Sequence, residues 1–209
     1  MALRSQILRH AVTLVPSLGF TRAAISEAAL KATAGEELPE RTIDVLFGRG
    51  EDARKTLIRA WLEEGRNSMG ASNHPGTVRD ALHRRLEWNV PVLDKLPEAY
   101  ALLATPSSLS PLDVRAILEH PAMVAHQACK VAQQSDSGMS WYTRRAALAS
   151  AYAAAELHQL NSPATASGFL DGLLDASEGA DNAVSEVATF AQYIGKSWIA
   201  IARSRGLLS

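Results

Sequence analysis

The stretch "MSWYTRRAALASAY", Met139–Tyr152, sets a tryptophan, a tyrosine and two arginines side by side ahead of a run of small residues. Trp, Tyr and Arg are the side chains that most often carry interface energy. Clustered in one helical turn, Trp141, Tyr142 and Arg145 suit anchoring a partner, with Arg145 meeting a carboxylate. A plain structural use stands beside this one: Trp141 capping the core and the arginines pairing with local acids. Stability alone favours neither, because cations near a helix N-terminus oppose the macrodipole. The chemistry-bearing residues elsewhere form no catalytic set. A four-helix carboxylate site needs Glu-x-x-His pairs, and no glutamate here has a histidine three residues later. His83 and Glu87, four apart, read as a solvated pair. His126 precedes Cys129 by three but lacks further ligands, so Cys129 reads as a buried, inert thiol. There is no G-x-S-x-G, no phosphate-cradling loop and no dinucleotide fingerprint. The sequence supports no enzyme, no cofactor and no metal.

The rest of the chain must position that turn. Its 209 residues are 47% hydrophobic with a net charge of -1, which suits one domain, or one domain with a small appendage, and no bulk attraction to nucleic acid. One cysteine allows no disulfide within the chain and points to a reducing compartment. No apolar run approaches the roughly 20 residues of a membrane span, and no secretory leader opens the sequence. "LRSQILRHAVTLV" is basic and amphipathic, like the tail of a transit peptide, but reads equally as a first helix. We expect a targeting segment, where one exists, to lie outside these residues.

Apolar residues recur at helical spacing almost throughout, and no period-2 strand or hairpin turn interrupts them. The class is all-α. Helices are expected over 3–15, closed by Pro16 and Gly19; from Thr21, as cap, to 33; and over a short third segment opened by Pro39 and ending at Phe47. Others follow over 52–66, 78–93 with a disturbance at Pro91, the "LPEAYALLA" stretch, and 112–134 with a kink or break at His120-Pro121. Ser140 is expected to cap a helix over 141–160, with 164–176 after it. The last segment, 183–208, puts Phe190, Ile194, Trp198, Ile199, Ile201 and Leu208 on one broad face. Lys196 and Arg203 lie on the other side. That pattern fits an interfacial helix with aromatics at the headgroup boundary and cations on anionic phosphates. It also fits a helix packed on its own domain or in a dimer seam.

Three short opening helices have the shape of a helix-turn-helix. With "GFT" at Gly19–Thr21 and "LFGRGEDARKTLIRAW" following, the order resembles the head of TetR-type repressors, a dimeric family with an apolar ligand cavity in its C-terminal helices. A DNA-binding repressor is therefore the alternative function. Charge speaks against it. Residues 1–65 hold nine Lys and Arg against nine Asp and Glu. Glu36, Glu37, Glu40 and Asp44 crowd the third helix and its approach, where phosphates have to be neutralised.

"WYTRRAALASAY", taken with "GFT" and "LFGRGEDARKTLI", resembles one family more specifically: the mitochondrial ubiquinone-biosynthesis accessory proteins, ninth of the Coq series, in a fungal form. The resemblance covers nearly the whole chain. It implies a TetR-like fold without DNA binding, divided as a helix-turn-helix-like head (1–50), a helical lipid-binding bundle (51–178) and an amphipathic membrane-contact helix (183–209). It further implies an isoprenoid or polyprenyl-quinone lipid in the bundle. Its location would be the mitochondrial matrix face of the inner membrane, reached through the last helix. Its partner would be the di-iron demethoxyubiquinone hydroxylase, held at Trp141, Tyr142 and Arg145. The family commonly has an acid three residues before the tryptophan; here Gly138 stands there, with Asp136 the nearest acid. The middle helices offer Leu86, Val90, Leu93, Leu102, Leu103, Val114, Ile117, Leu118, Val124, Leu148 and Tyr152 as lipid lining or as plain core. Pairing through the last two bundle helices would make a homodimer.

Overall fold

The computed structural model describes residues 3–71, 76–104, 114–134 and 138–178. Every regular element among them is helical: α1 (Leu3–Leu18), α2 (Arg22–Ala32), α3 (Glu40–Phe47), α4 (Glu51–Ser68), α5 (Val78–Asn89), α6 (Leu96–Ala104), α7 (Val114–Val131), α8 (Met139–Asn161) and α9 (Ala166–Glu178). The all-α expectation holds for these residues. Single 3-10 turns follow α5, at Val90–Val92, and α8, at Pro163–Thr165. The first is the disturbance that Pro91 foretells. The segment 183–208 lies outside the described residues.

Local chemistry fixes most boundaries. The Thr21 hydroxyl accepts from the Ala24 N–H at the start of α2. Thr77 and Asp80 form a reciprocal capping box ahead of α5: the Asp80 N–H donates to the Thr77 hydroxyl, and the Thr77 N–H to the Asp80 carboxylate at 3.0 Å. Between α3 and α4 the chain turns at Gly48, with φ 97°. A Cβ there would lie 2.6 Å from Cβ of Asp52, so only glycine makes this turn without strain.

Three boundaries differ from expectation. Pro16 sits inside α1, which ends instead at Gly19, where φ is 69° and the N–H donates to Val15. A proline two residues from the end removes a single ladder bond. Helix α7 runs unbroken through Pro121, in a stretch where both His120 and Pro121 are buried; packing outweighs one lost bond. Helix α8 begins at Met139 with Gly138 as N-cap (φ 73°) and no side-chain cap. Ser140 is thus inside the helix, not its cap.

Two apolar clusters form the core. One gathers α1 to α4 with Val92, Leu96, Leu102 and Leu103, and takes in Ala153 and Leu157 of α8. The other lies between α5, α7, α8 and α9, around Leu82, Leu86, Val124, Leu148, Tyr152 and Leu170. Five alanines (81, 125, 128, 151 and 155) are buried in this second cluster, and their small side chains let the helices approach closely. At 23 residues, α8 is the longest helix and belongs to both clusters. Outside the core, Arg79 of α5 binds Asp171 at 2.6 Å and also pairs with Asp175, both on α9. His83 Nε2 lies 2.9 Å from the same Asp171 and its Nδ1 2.9 Å from the Ser167 hydroxyl. The ring is therefore a strut between α5 and α9 and not the partner of Glu87.

Replacing Thr77 by Ala removes the hydroxyl arm of the capping box and leaves the backbone N–H arm to Asp80. The expected loss is about 1 kcal/mol of unfolding free energy, measured by urea denaturation.

Candidate functional site

Two constellations stand out, and α8 carries part of each. At its start, Trp141 is half-buried and Tyr142 is 67% exposed. Their rings meet edge-on, 4.7 Å between centroids. One turn later Arg145 folds back, its Cζ 3.9 Å from the centre of the Trp141 ring, and Nη1 donates to the Trp141 carbonyl at 3.4 Å. The i to i+4 spacing makes that fold-back possible, and a cation over an indole face contributes about 0.5–1 kcal/mol at an exposed site. His126 of α7 approaches Trp141 from the side, with ring centroids 6.4 Å apart. The three predicted residues thus form one patch, a flat aromatic face with a guanidinium laid across it. Arg145 is held by the indole, and among the described residues no acid pairs with it. Asp136 lies outside the described residues.

The second constellation was not foreseen. Arg85 is fully buried between α5, α7 and α8, together with Asn89, His120, Glu156 and Gln159. Arg85 Nη1 donates to Asn89 Oδ1 at 2.6 Å, and Asn89 Nδ2 donates to Glu156 Oε1 at 2.8 Å. The Tyr152 hydroxyl donates to the same carboxylate oxygen at 2.6 Å. Gln159 Nε2 donates to the Leu86 carbonyl at 2.8 Å. His120 Nε2 lies 3.3 Å from Arg85 Nη2 and 3.4 Å from Glu156. Burial pushes the His120 pKa down, partly countered by Glu156, so its ring is neutral near pH 7. Burial alone would raise the Glu156 carboxyl. His120, Arg85 and the Tyr152 hydroxyl outweigh it and hold the group far below the usual carboxylate range. With His120 neutral, Arg85 is the cation that keeps Glu156 ionised at pH 7. A readable signal existed: Arg85 and Asn89 on α5, and Tyr152, Glu156 and Gln159 on α8, are polar residues at helical spacing on otherwise apolar faces.

The expected lipid-lining residues divide. Leu86, Val124, Leu148 and Tyr152 belong to the second apolar cluster. Leu102 and Leu103 belong to the first, with Leu93 packed against it. Val90 is 58% exposed. The side chains of Val114, Ile117 and Leu118 lie outside the described ones, as do all of Phe190, Ile194, Lys196, Trp198, Ile199, Ile201, Arg203 and Leu208. A cavity of about 230 Å³ opens elsewhere, at the α1–α2 turn, lined by Gly19, Phe20, Arg54, Lys95 and Glu98. Among the described residues no three His, Cys, Asp or Glu side chains converge as metal ligands.

Fold and sites together define an all-α bundle with an ionic core and an exposed aromatic-basic turn. Residues 114–176, which contain that turn and all of the buried cluster's α7 and α8 members, match the COQ9 family model. Three curated proteins, each called a mitochondrial ubiquinone biosynthesis protein COQ9, are similar. The human one is 30% identical over 74% of this chain and 50% of its own. The Schizosaccharomyces pombe one is 28% identical over 74% and 60%, and the Xenopus tropicalis one 26% identical over 76% and 51%. These matches support a COQ9 family protein. It spans about half the length of the curated relatives it matches, and 60% of the yeast one.

Glu156→Gln leaves Arg85 as an uncompensated buried charge. It should lower unfolding free energy by about 3–5 kcal/mol, read from urea midpoints. The pH dependence follows from the directions of the two shifts. The folded protein binds fewer protons than the unfolded chain at His120 below about pH 6.5 and at Glu156 below about pH 4.5. Stability should therefore fall as pH drops from 7 towards 5, and fall further below that. His120→Gln should flatten the decline between pH 7 and 5 while leaving the part below pH 4.5.

Proposed function

We propose that the chain is a non-catalytic, lipid-binding accessory protein of mitochondrial ubiquinone biosynthesis. In this reading its TetR-like bundle, residues 51–178, holds an isoprenoid or polyprenyl-quinone lipid. The Trp141 turn grips the di-iron demethoxyubiquinone hydroxylase, so that the quinone intermediate is presented to that enzyme. The segment 183–209 docks on the matrix face of the inner membrane, and two copies pair through the last bundle helices.

One observation carries the reading: an aromatic pair with a stacked guanidinium stands half-exposed at the start of α8, inside the segment that matches the family. Leaving Tyr142 in water has no benefit for the fold, whereas a rigid Trp–Tyr–Arg face already in place loses little entropy when a partner covers it. The relatives' names supply the pathway and the compartment. A polyprenyl tail is as comfortable in a bilayer as in a protein interior. Drawing it in requires a close match worth about 0.8 kcal/mol for each CH₂ otherwise left exposed. The alanine-rich second cluster, with Leu86, Val124, Leu148 and Tyr152, is the candidate for that match; Leu93, Leu102 and Leu103 would flank it.

The repressor alternative is disfavoured by the outward side of α3, where Glu40, Arg41 and Val45 are exposed after Glu36 and Glu37, and by Asp44, bound to Arg22 at 2.6 Å. Such a surface repels phosphates.

Tyr142→Ala and Trp141→Ala should each weaken capture of the hydroxylase at least tenfold, measured by surface plasmon resonance. Tyr142→Ala should leave the thermal midpoint unchanged. Undiminished capture by both variants contradicts the docking role.

A further inference from the structure

Between α5 and α9 three side chains stand in hydrogen-bonded sequence. The Ser167 Oγ lies 2.9 Å from His83 Nδ1, and His83 Nε2 lies 2.9 Å from Asp171 Oδ1. Arg79 Nη1 binds the same Oδ1 at 2.6 Å and pins the carboxylate. Ser167 and Asp171 are four residues apart on α9 and so share one face of that helix. His83 reaches both from α5.

The proton positions follow from what each group can accept. Its bonds to His83 and Arg79 hold the Asp171 carboxyl below its ordinary range, so it is ionised at pH 7 and only accepts. In the neutral ring, Nε2 then carries the hydrogen given to Asp171. Nδ1 is bare, and the Ser167 hydroxyl donates to it. A hydroxyl bound to a base that a third group orients is the signature of an activated nucleophile. Geometry and roles define the pattern, whatever the fold, and here the two ring nitrogens exchange their usual places. The carboxylate alone would anchor the ring to α9; the bond to Ser167 ties an exposed hydroxyl to a partly buried base. Access to it is open. Gly168 is exposed beside it, and a Cβ there would meet nothing within 4 Å.

We infer that Ser167 is an activated acyl acceptor: with His83 as its base and Asp171 orienting that base, its hydroxyl takes the acyl group of a thioester. Ser167 Oγ attacks the thioester carbonyl, and a C–O bond forms as the hydroxyl proton passes to His83 Nδ1. The C–S bond then breaks, and the sulfur leaves with that proton as a free thiol. Nothing is oxidised or reduced, and only the thioester is consumed. The oxyanion of the intermediate develops at the first turn of α9, where the helix dipole favours negative charge. One acyl group enters per molecule, so the chain is modified in this step and does not turn over. The step goes beyond the lipid-binding reading and needs none of it.

The test treats the full chain with phenyl thioacetate near neutral pH and follows each acetylated serine by tandem mass spectrometry. Ser167 should react about a hundred times faster than Ser17, the least that a positioned general base supplies. Ser17 is also exposed, but its hydroxyl donates to the Leu14 carbonyl instead of a base. His83→Gln keeps an amide that can bridge Ser167 and Asp171 but cannot take a proton. It should slow acetylation of Ser167 about a hundredfold while leaving Ser17 and the thermal midpoint unchanged. If Ser167 reacts no faster than Ser17, or keeps its rate in a folded His83→Gln variant, the three residues are a structural clasp only and the inference falls. The comparison of Ser167 with Ser17 is made in the unaltered chain, so it decides the matter even where the variant fails to fold.

Discussion

Arg85 and Glu156 are buried 3.9 Å apart where α5, α7 and α8 meet, and the arrangement of those helices depends on how this pair is satisfied. Taking two charges out of water costs several kcal/mol per ion, which the mutual attraction repays only with good geometry and further hydrogen bonds to the remaining groups. Asn89 and Tyr152 meet Glu156, Asn89 also meets Arg85, and Gln159 ties the group to the α5 backbone. A one-residue rotation of α5 or α8 would strand a charge, and one of α7 would withdraw His120 from both. An all-alanine and leucine interface would tolerate several such rotations. The pair thus selects one register at some expense of stability, and the surrounding alanines permit the close approach that the register requires.

The same helix joins this core to the surface. From Trp141 to Glu156 is fifteen residues of α8, about 22 Å at 1.5 Å per residue. The aromatic-basic turn and the ionic cluster are therefore fixed relative to each other by one continuous helix that belongs to both apolar clusters. Under the proposed function, a partner covering Trp141 and Tyr142 is oriented by that helix relative to the bundle interior without touching the buried cluster.

Sequence patterns revealed the helical class, the cap at Thr21, the break at Pro91 and the grouping of Trp141, Tyr142 and Arg145, because each depends on residues within a turn or two of one another. Pro121 misled for the complementary reason: its local penalty is real, but His120 and Pro121 are buried against neighbouring helices, which a linear pattern does not show. The ionic cluster was hidden in another way. Arg85, His120 and Glu156 are far apart in the chain, and each taken alone reads as an ordinary polar residue on a helix. Only their convergence distinguishes them. Val90, apolar in the sequence yet exposed, and His83, bound to Asp171 instead of Glu87, show the same limit.

The central claim is that this bundle carries an isoprenoid lipid. It is tested most directly by mass spectrometry of the intact protein released from cells under native conditions. The account predicts a bound polyprenylated quinone or related isoprenoid at substantial occupancy. Protein that emerges at its bare mass, with no isoprenoid in the organic extract, would contradict it.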